Sequence, residues 1–194
     1  MTVLVAVATA HGSTRAIAER LGSRLQRAGL DVVIRSAGDE QDVDAYEAVV
    51  IGSAIHGGRW LSEATSFAQR CQAALRDRPV WLFSVSTLGD EGAMFAPAVA
   101  RRLRALRKET PELLELRRTI QPVEHRNFAG VVKPADWPLS GRLFFRSTGG
   151  RYGDHRNWSA IEAWGDQIAT EVRERGGTAA SPSRARDASP GRPT

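Results

Sequence analysis

The sequence has a single cysteine, no long apolar run and no cluster of histidines. Cys71 has no second cysteine with which to form an internal disulfide, so a reducing, cytoplasmic setting is expected. The amino terminus lacks the basic region and cleavage site of a signal peptide, and its apolar run, Val3 to Ala8, is too short to span a bilayer. Four scattered histidines make no ligand set, so no metal site is expected.

The sequence also lacks an excess of acidic over basic residues. The 194 residues carry a net charge of +5, which favours an anionic partner such as a phosphate cofactor, a nucleic acid or a lipid surface without choosing among them. The length suits one α/β domain. Nine of the nineteen residues from Gly176 onward are Gly, Pro or Ser, so we expect a domain over 1–175 and a disordered tail over 176–194.

Apolar runs alternate with helical patterns along the rest of the chain. Five segments predict strands, at 3–8, 31–35, 48–53, 79–84 and within 120–128. Four segments with apolar residues at helical spacing follow strands one, three, four and five. Their apolar positions are Ile17, Leu21, Leu25 and Ala28; Leu61, Ala64, Ala68, Cys71 and Leu75; Phe95, Val99, Leu103 and Leu106; and Ile161, Trp164, Ile168 and Val172.

This alternation predicts an α/β fold with a doubly wound, five-stranded parallel sheet in the order 2-1-3-4-5 and helices on both faces. Ligands of such sheets bind at the carboxyl ends of the strands, where the strand order reverses. We therefore expect a site built from the loops after strands one, three and four.

The first of these loops combines hydroxyls and a glycine directly before a helix. It consists of Thr9, Ala10, His11, Gly12, Ser13 and Thr14. A helix amino terminus offers free N–H groups to an anion, and the absence of a Walker-type lysine favours a monophosphate over a nucleoside triphosphate. A plain helix cap without a ligand is the alternative, because Ser and Thr are common caps.

The other two loops also carry glycine and polar or aromatic residues. The second contains Ser53, Ala54, Ile55, His56, Gly57 and Trp60, and the third contains Ser86, Thr87, Leu88 and Gly89. Ile55, His56 and Trp60 could form walls for a flat aromatic cofactor, whereas Trp60 could equally pack at the start of the next helix. The third loop could bond the polar edge of a ring or be an ordinary strand-to-helix turn.

Several segments resemble one family. The stretch Val7 to Thr14, followed by an Ile-Ala-Glu helix, resembles the flavodoxin phosphate loop, and Ala48 to Ser53 resembles the strand before the flavin-side loop. Gly153 to Trp158 is similar to a Gly-Asp-x-Arg-x-Trp stretch in flavodoxin-domain proteins related to menaquinone-dependent protoporphyrinogen dehydrogenase. Asn127 to Gly130 resembles the end of the fifth strand in that group.

The resemblance implies FMN as the cofactor, with its phosphate on Thr9 to Thr14 and its ring between Ser53 to Gly57 and Ser86 to Gly89. It implies an FMN-dependent oxidoreductase that passes electrons between an organic donor, such as a protoporphyrinogen, and an acceptor such as a quinone. An electron-carrier flavodoxin and a flavin-free interaction domain are the alternatives. The residues identify no catalytic acid or base, and the partners expected are a small molecule or a redox protein, not nucleic acid.

Two further features leave alternatives open. A basic run, Arg101 to Lys108, is either a solvated helix face or a contact for an anionic partner or membrane surface. The pair Phe144-Phe145 lies in a segment, 133–153, that fits no regular element, and it is either core packing or the lip of a lipophilic site.

Overall fold

The computed structural model describes residues 1–40, 42–91, 93–134, 145 and 149–179. The last helix continues to Ala179, so the first four residues of the predicted tail are helical, and 180–194 lie outside the described residues. Most of the unassigned segment 133–153, including Phe144, also lies outside them.

Five parallel strands form the centre of the molecule, in the spatial order β2-β1-β3-β5-β6. They are β1 (Thr2–Ala8), β2 (Asp31–Ser36), β3 (Ala48–His56), β5 (Val80–Ser86) and β6 (Glu124–Ala129). A two-residue strand, β4 (Arg59–Trp60), pairs antiparallel with the end of β3. Counting the parallel strands alone, the order is 2-1-3-4-5, so the predicted fold and strand order are confirmed.

Six helices are described, and all but one pack on the sheet through a buried apolar face. They are α1 (Ser13–Arg27), α2 (Ser62–Arg70), α3 (Gln72–Arg76), α4 (Pro97–Leu106), α5 (Pro111–Thr119) and α6 (Trp158–Ala179). The apolar residues of α1 and α6 cover one face of the sheet, and those of α2, α3 and α5 cover the other. Within the described ranges, no helix is long and apolar enough to cross a membrane.

The central strands have continuous apolar runs because helices cover both faces of the sheet. Six of the seven residues of β1 are buried, because its side chains alternate between the two covered faces. The edge strand β6 is less buried and begins at Glu124, after Pro122, as a proline that cannot donate to a ladder requires.

Two helical segments differ from the prediction. The single helix expected from Leu61 to Leu75 is divided at Cys71 into α2 and α3, although Cys71 is buried as a core residue. Helix α5 was not predicted, because its apolar stripe is only two buried residues wide, Leu113 and Leu116.

Helix α4 is present, but its predicted inward face points to solvent. Val99, Leu103 and Leu106 are 40%, 36% and 67% exposed, whereas Ala100 is the buried residue. The inward face consists of Ala100, Arg104 and Arg107, which share the same i, i+4, i+7 spacing one position later. The apolar stripe therefore predicted the helix correctly and its orientation wrongly.

A small third cluster lies beside the sheet. Phe145 is buried against Met94 and Val132, with Phe95 and Tyr152 partly buried on its border. Phe145 therefore belongs to core packing, the first of the two alternatives for the Phe144-Phe145 pair. Val132 and Gly153 belong to an antiparallel two-stranded ribbon of β7 (Val131–Val132) and β8 (Gly153–Asp154).

Strand register brings the carboxyl ends of three central strands together. Ala8 of β1 lies opposite Ser53 of β3, and Ser53 lies opposite Ser84 of β5. The segments that follow β1, β3 and β5 consequently meet at one edge of the sheet, where the strand order reverses.

Candidate functional site

A cavity of about 830 Å³ lies at this edge. Twelve of the sixteen residues predicted for the site line it: Thr9, Ala10, His11, Ser13, Thr14, Ala54, Ile55, His56, Gly57, Ser86, Thr87 and Leu88. The other four, Gly12, Ser53, Trp60 and Gly89, do not line it, and their contacts are described below.

The first loop places an uncapped helix amino terminus at the cavity. Gly12 is the N-cap of α1 with φ 86°, a left-handed conformation that strongly favours glycine, and no side chain caps the helix. The first helical hydrogen bond runs from Ala16 N–H to the Gly12 carbonyl. A plain Ser or Thr cap, the ligand-free alternative, is therefore not what this turn contains.

The hydroxyls of the first loop are used in different ways. Thr9 Oγ1 accepts from Gly12 N–H at 3.0 Å and fixes the turn, and Ser13 Oγ accepts from Val131 N–H at 3.0 Å. Thr14 is 1% exposed, and its Oγ1 has no hydrogen-bond partner among the described residues. A buried hydroxyl without a partner costs free energy, and this one lies at the start of α1 among the residues that line the cavity.

The electrostatics of this helix end suit an anion. The first turn of α1 contains no acidic residue, so the positive end of the helix dipole is not neutralised from within the helix. Arg104, Arg107 and Lys108 also line the cavity. The cavity therefore combines a helix amino terminus with three cationic side chains.

The second loop is shorter than predicted, because β3 continues to His56. Gly57 and Gly58 form the two-residue turn of a hairpin, with φ of 58° and 79°. Ser53 is a fully buried strand residue whose hydroxyl accepts from Leu61 N–H at 3.0 Å and donates to the Ala54 carbonyl. The hairpin is fastened to α5 by an ion pair between Arg59 and Glu112 at 2.6 Å.

Trp60 packs in the core behind the cavity. It is 4% exposed, and its indole N–H donates to Ser84 Oγ at 2.7 Å. Ser84 Oγ lies in turn 2.9 Å from Nε2 of His125 on β6. The Ser84 hydroxyl therefore accepts from Trp60 and forms a second hydrogen bond with His125, joining β5 to β6.

His125 lines the cavity as a neutral imidazole. Burial, together with the positive charges of Arg117 and Arg107, lowers its pKa from 6.5 to about 4, and the carboxylate of Asp90 opposes the shift.

The third loop is held by the inward face of α4. Arg104 Nε donates to the Gly89 carbonyl at 2.8 Å, and Arg107 donates to the Leu88 carbonyl at 3.1 Å and to Asp90 at 2.6 Å. Asp90 also accepts from Asn127 N–H at 2.9 Å, which fixes the loop to β6. Gly89 therefore supplies a carbonyl to this network and does not line the cavity.

Sequence reasoning missed several lining residues, among them Met94, Arg104, Arg107, Thr110, Leu113, His125 and Asn127. Two signals could have found some of them. Arg104 and Arg107 follow Ala100 at helical spacing, and a histidine inside a predicted strand, His125, is an unusual core residue. Among the described residues, no group of three His, Cys, Asp or Glu side chains could hold a metal ion.

The sheet order, the uncapped helix end and the cavity at the reversal point define a doubly wound α/β domain with a cavity at the switch point, where ligands of such sheets bind. A family model described as flavodoxin domain matches residues 4–143, most of the chain, and the chain belongs to that family. No curated protein matches the sequence.

Solved structures share the fold at low sequence identity. A flavodoxin from the domain Archaea is 17% identical with a TM-score of 0.51, and the match covers 89% of this chain and 99% of that one. Rubredoxin oxygen:oxidoreductase from Desulfovibrio gigas is 14% identical with a TM-score of 0.57, over 90% of this chain. The flavodiiron protein from Giardia intestinalis is 11% identical with a TM-score of 0.58, over 93% of this chain. The matches span only 36% and 38% of these last two chains.

Proposed function

We propose that this protein binds FMN in the cavity and works as an FMN-dependent oxidoreductase. The observation that carries the proposal is the convergence of three loops with an uncapped helix end on one cavity of about 830 Å³. Independent turns have no reason to converge on one cavity with an unpartnered buried hydroxyl, whereas a phosphate-bearing aromatic cofactor needs such an arrangement.

The first loop would hold the phosphate. Backbone N–H groups at the start of α1 and the hydroxyl of Thr14 are the donors available, and Thr9 keeps the turn in shape through Gly12. His11 stands at the position where many flavodoxins carry threonine, so one hydroxyl donor is replaced by an imidazole.

The second and third loops would flank the ring. Ile55 and His56 offer an apolar and a flat side chain on one side, and Thr87 and Leu88 stand on the other. Arg104 and Arg107, which also line the cavity, keep the third loop in position. When bound, FMN would supply reversible electron transfer, and the residues around it orient it and limit the access of water.

The cavity also has room for chemistry on a substrate. Its far part is lined by apolar side chains, including Met94, Leu113 and Val132, with the cationic Lys108 at the border. This lining suits an organic donor with an apolar body. We propose a protoporphyrinogen-like donor and a quinone as acceptor, supported by the resemblance of Gly153 to Trp158 and Asn127 to Gly130 to that group of flavodoxin-domain proteins.

The residues from Gly153 to Trp158, on which that resemblance partly rests, form contacts with one another and with the start of α6. Asp154 accepts from Arg156, the guanidinium of Arg156 lies 4.3 Å from the centre of the Trp158 ring, and Asn157 Oδ1 accepts from Ala160 N–H at the start of α6. These contacts order the start of the last helix, and the choice of substrate needs its own test.

The visible spectrum of the purified protein, before and after addition of FMN, tests the cofactor proposal. We expect a flavin spectrum shifted from that of free FMN, and a protein that stays colourless would instead favour the interaction domain. Turnover of protoporphyrinogen with a quinone then separates an enzyme from an electron carrier. A flavin-loaded protein that oxidises no small molecule, but reduces or oxidises a partner protein, would favour the carrier.

A further inference from the structure

Helix α4 presents an apolar stripe to solvent. Val99, Leu103 and Leu106 are 40%, 36% and 67% exposed, and they lie within about 60° of arc on the helix. Leu114, near the start of the adjoining α5, is 52% exposed. These residues make up four of the six large apolar side chains found exposed in the described part of the chain.

The same helix carries positive charge and no acidic residue. Residues 92–108 contain five cations, Arg101, Arg102, Arg104, Arg107 and Lys108, and no Asp or Glu. Arg104 and Arg107 donate to the third loop. Arg101 and Arg102 are exposed, and neither forms an ion pair within the described part of the chain. At helical spacing Arg102 borders the apolar stripe, whereas Arg101 projects from the far side of the helix.

We propose that this α4 face, defined by Val99, Arg102, Leu103 and Leu106, docks the protein on an anionic lipid surface. The aliphatic stripe would enter the headgroup region and the guanidinium group of Arg102 would contact lipid phosphates, while Arg101, on the far side of the helix, would add attraction at longer range. The proposal does not depend on bound flavin. It would bring the cavity close to the bilayer, because Lys108, which follows α4, lines that cavity.

The chemistry of the face favours lipid over an acidic protein. Its exposed apolar residues are Val and Leu, which are under-represented in the energetic centres of protein interfaces, and it contains no Trp or Tyr. An arginine at the border of an aliphatic stripe, on a helix without acidic residues, matches a surface of phosphates over hydrocarbon. The net charge of +5 favours the same partner at longer range.

Co-sedimentation of the full chain with lipid vesicles tests the proposal. The probes are vesicles of phosphatidylcholine alone and vesicles with about one third phosphatidylglycerol, at an ionic strength of about 0.1 M. We expect binding to the anionic vesicles only. Arg101→Gln with Arg102→Gln should weaken it by about fivefold per charge, and Leu103→Ser with Leu106→Ser by about tenfold.

Matched controls lie at the opposite end of the sheet. Arg27 and Arg76 are exposed at the ends of α1 and α3, and Val123, 37% exposed, precedes β6. Arg27→Gln with Arg76→Gln, and Val123→Ser, should leave vesicle binding within twofold of wild type. Circular dichroism confirms that each variant is folded.

Three results would overturn the proposal. The first is no binding to anionic vesicles. The second is an equal loss from the control arginines, which would mean that net charge alone is responsible. The third is a response to Arg101 and Arg102 without any response to Leu103 and Leu106, which would mean that binding is electrostatic only and that the apolar stripe does not enter the bilayer.

Discussion

Thr14 carries a buried hydroxyl without a partner at the start of α1. If this hydroxyl serves the phosphate, Thr14→Val removes a ligand contact and, at the same time, an unsatisfied polar group. We expect FMN affinity to fall about tenfold, because hydrogen bonds to charged groups are the stronger ones. The flavin-free protein should be as stable as wild type or more stable. Flavin fluorescence titration and thermal unfolding measure the two effects.

Thr14→Ser is the control, since it keeps the hydroxyl and loses only a methyl group. It should retain most of the affinity. A Thr14→Val protein that binds FMN as tightly as wild type would mean that this hydroxyl plays no part in phosphate binding.

His125 makes stability depend on pH. The folded protein keeps it neutral down to about pH 4, whereas an unfolded chain protonates histidine near 6.5. Between these values the unfolded state binds more protons, so the free energy of unfolding falls as the pH falls from 6.5 to 4. His125→Gln should remove this part of the pH dependence in urea unfolding.

The comparison between variant and wild type isolates His125 from the carboxylates. The pKa values of Asp154 and Asp166 are lowered by Arg156 and Arg24, so these groups protonate below the range considered. Parallel curves for the two proteins from pH 4 to 6.5 would show that His125 titrates normally and is not held neutral.

At the scale of single residues, the sequence predicted which residues belong to the site better than it predicted what each of them contacts. Twelve of sixteen predicted site residues line the cavity, since loop position and residue type indicate them. Trp60 and Ser53 could not be placed, because their packing depends on Ser84 and Leu61, partners that are distant in sequence. His125 was missed for the same reason.

Among the structural elements, the third loop is the one whose position depends most on contacts with a neighbouring element, helix α4 and the residue that follows it. Arg107 donates both to the Leu88 carbonyl and to Asp90. Arg107→Gln should raise hydrogen exchange at residues 87–90 and weaken FMN binding a few-fold, while global stability changes by less than about 1 kcal/mol because the pair is partly exposed. Hydrogen exchange with mass spectrometry measures the local effect.

Arg70→Gln is the matched control, because Arg70 also donates to a backbone carbonyl, that of Glu40, away from the cavity. It should leave exchange at 87–90 unchanged. Equal exchange in Arg107→Gln and wild type would mean that the loop holds itself in place.

The sequence predicted helix α4 but not which of its faces points inward. Its spacing predicted a helix, but two stripes at the same spacing compete for the inward position, one aliphatic and one of Ala100, Arg104 and Arg107. The second faces inward because the carbonyls of Leu88 and Gly89 need donors there. A hydrophobic pattern does not show that backbone carbonyls of another loop require hydrogen-bond donors from this helix.

The whole molecule follows from the alternation of buried strands and helices. The strand order was predictable, because parallel strands buried on both faces give continuous apolar runs and crossovers obey few rules. The hairpin strand β4 and helix α5 were not, since both are short and are held by the Arg59–Glu112 contact between them.

The extent of the domain is a proposal that truncation can test. Helix α6 reaches Ala179, and Gly176 packs so closely on Met1 that a Cβ there would lie 2.3 Å from its sulfur. Removal of residues 180–194 should leave the melting temperature and FMN binding unchanged. Removal of 176–194 should lower the melting temperature, because the Met1 contact is lost. A large loss of stability on the shorter truncation would extend the domain beyond Ala179.

The central claim is that the cavity is an FMN site with the phosphate on the first loop. Calorimetric titration of the flavin-free protein with FMN, and separately with riboflavin, tests it most directly. The account predicts one FMN per chain and riboflavin binding at least about tenfold weaker, because riboflavin lacks the charged group for the end of α1. Equal affinity for the two, or no binding of FMN, would contradict it.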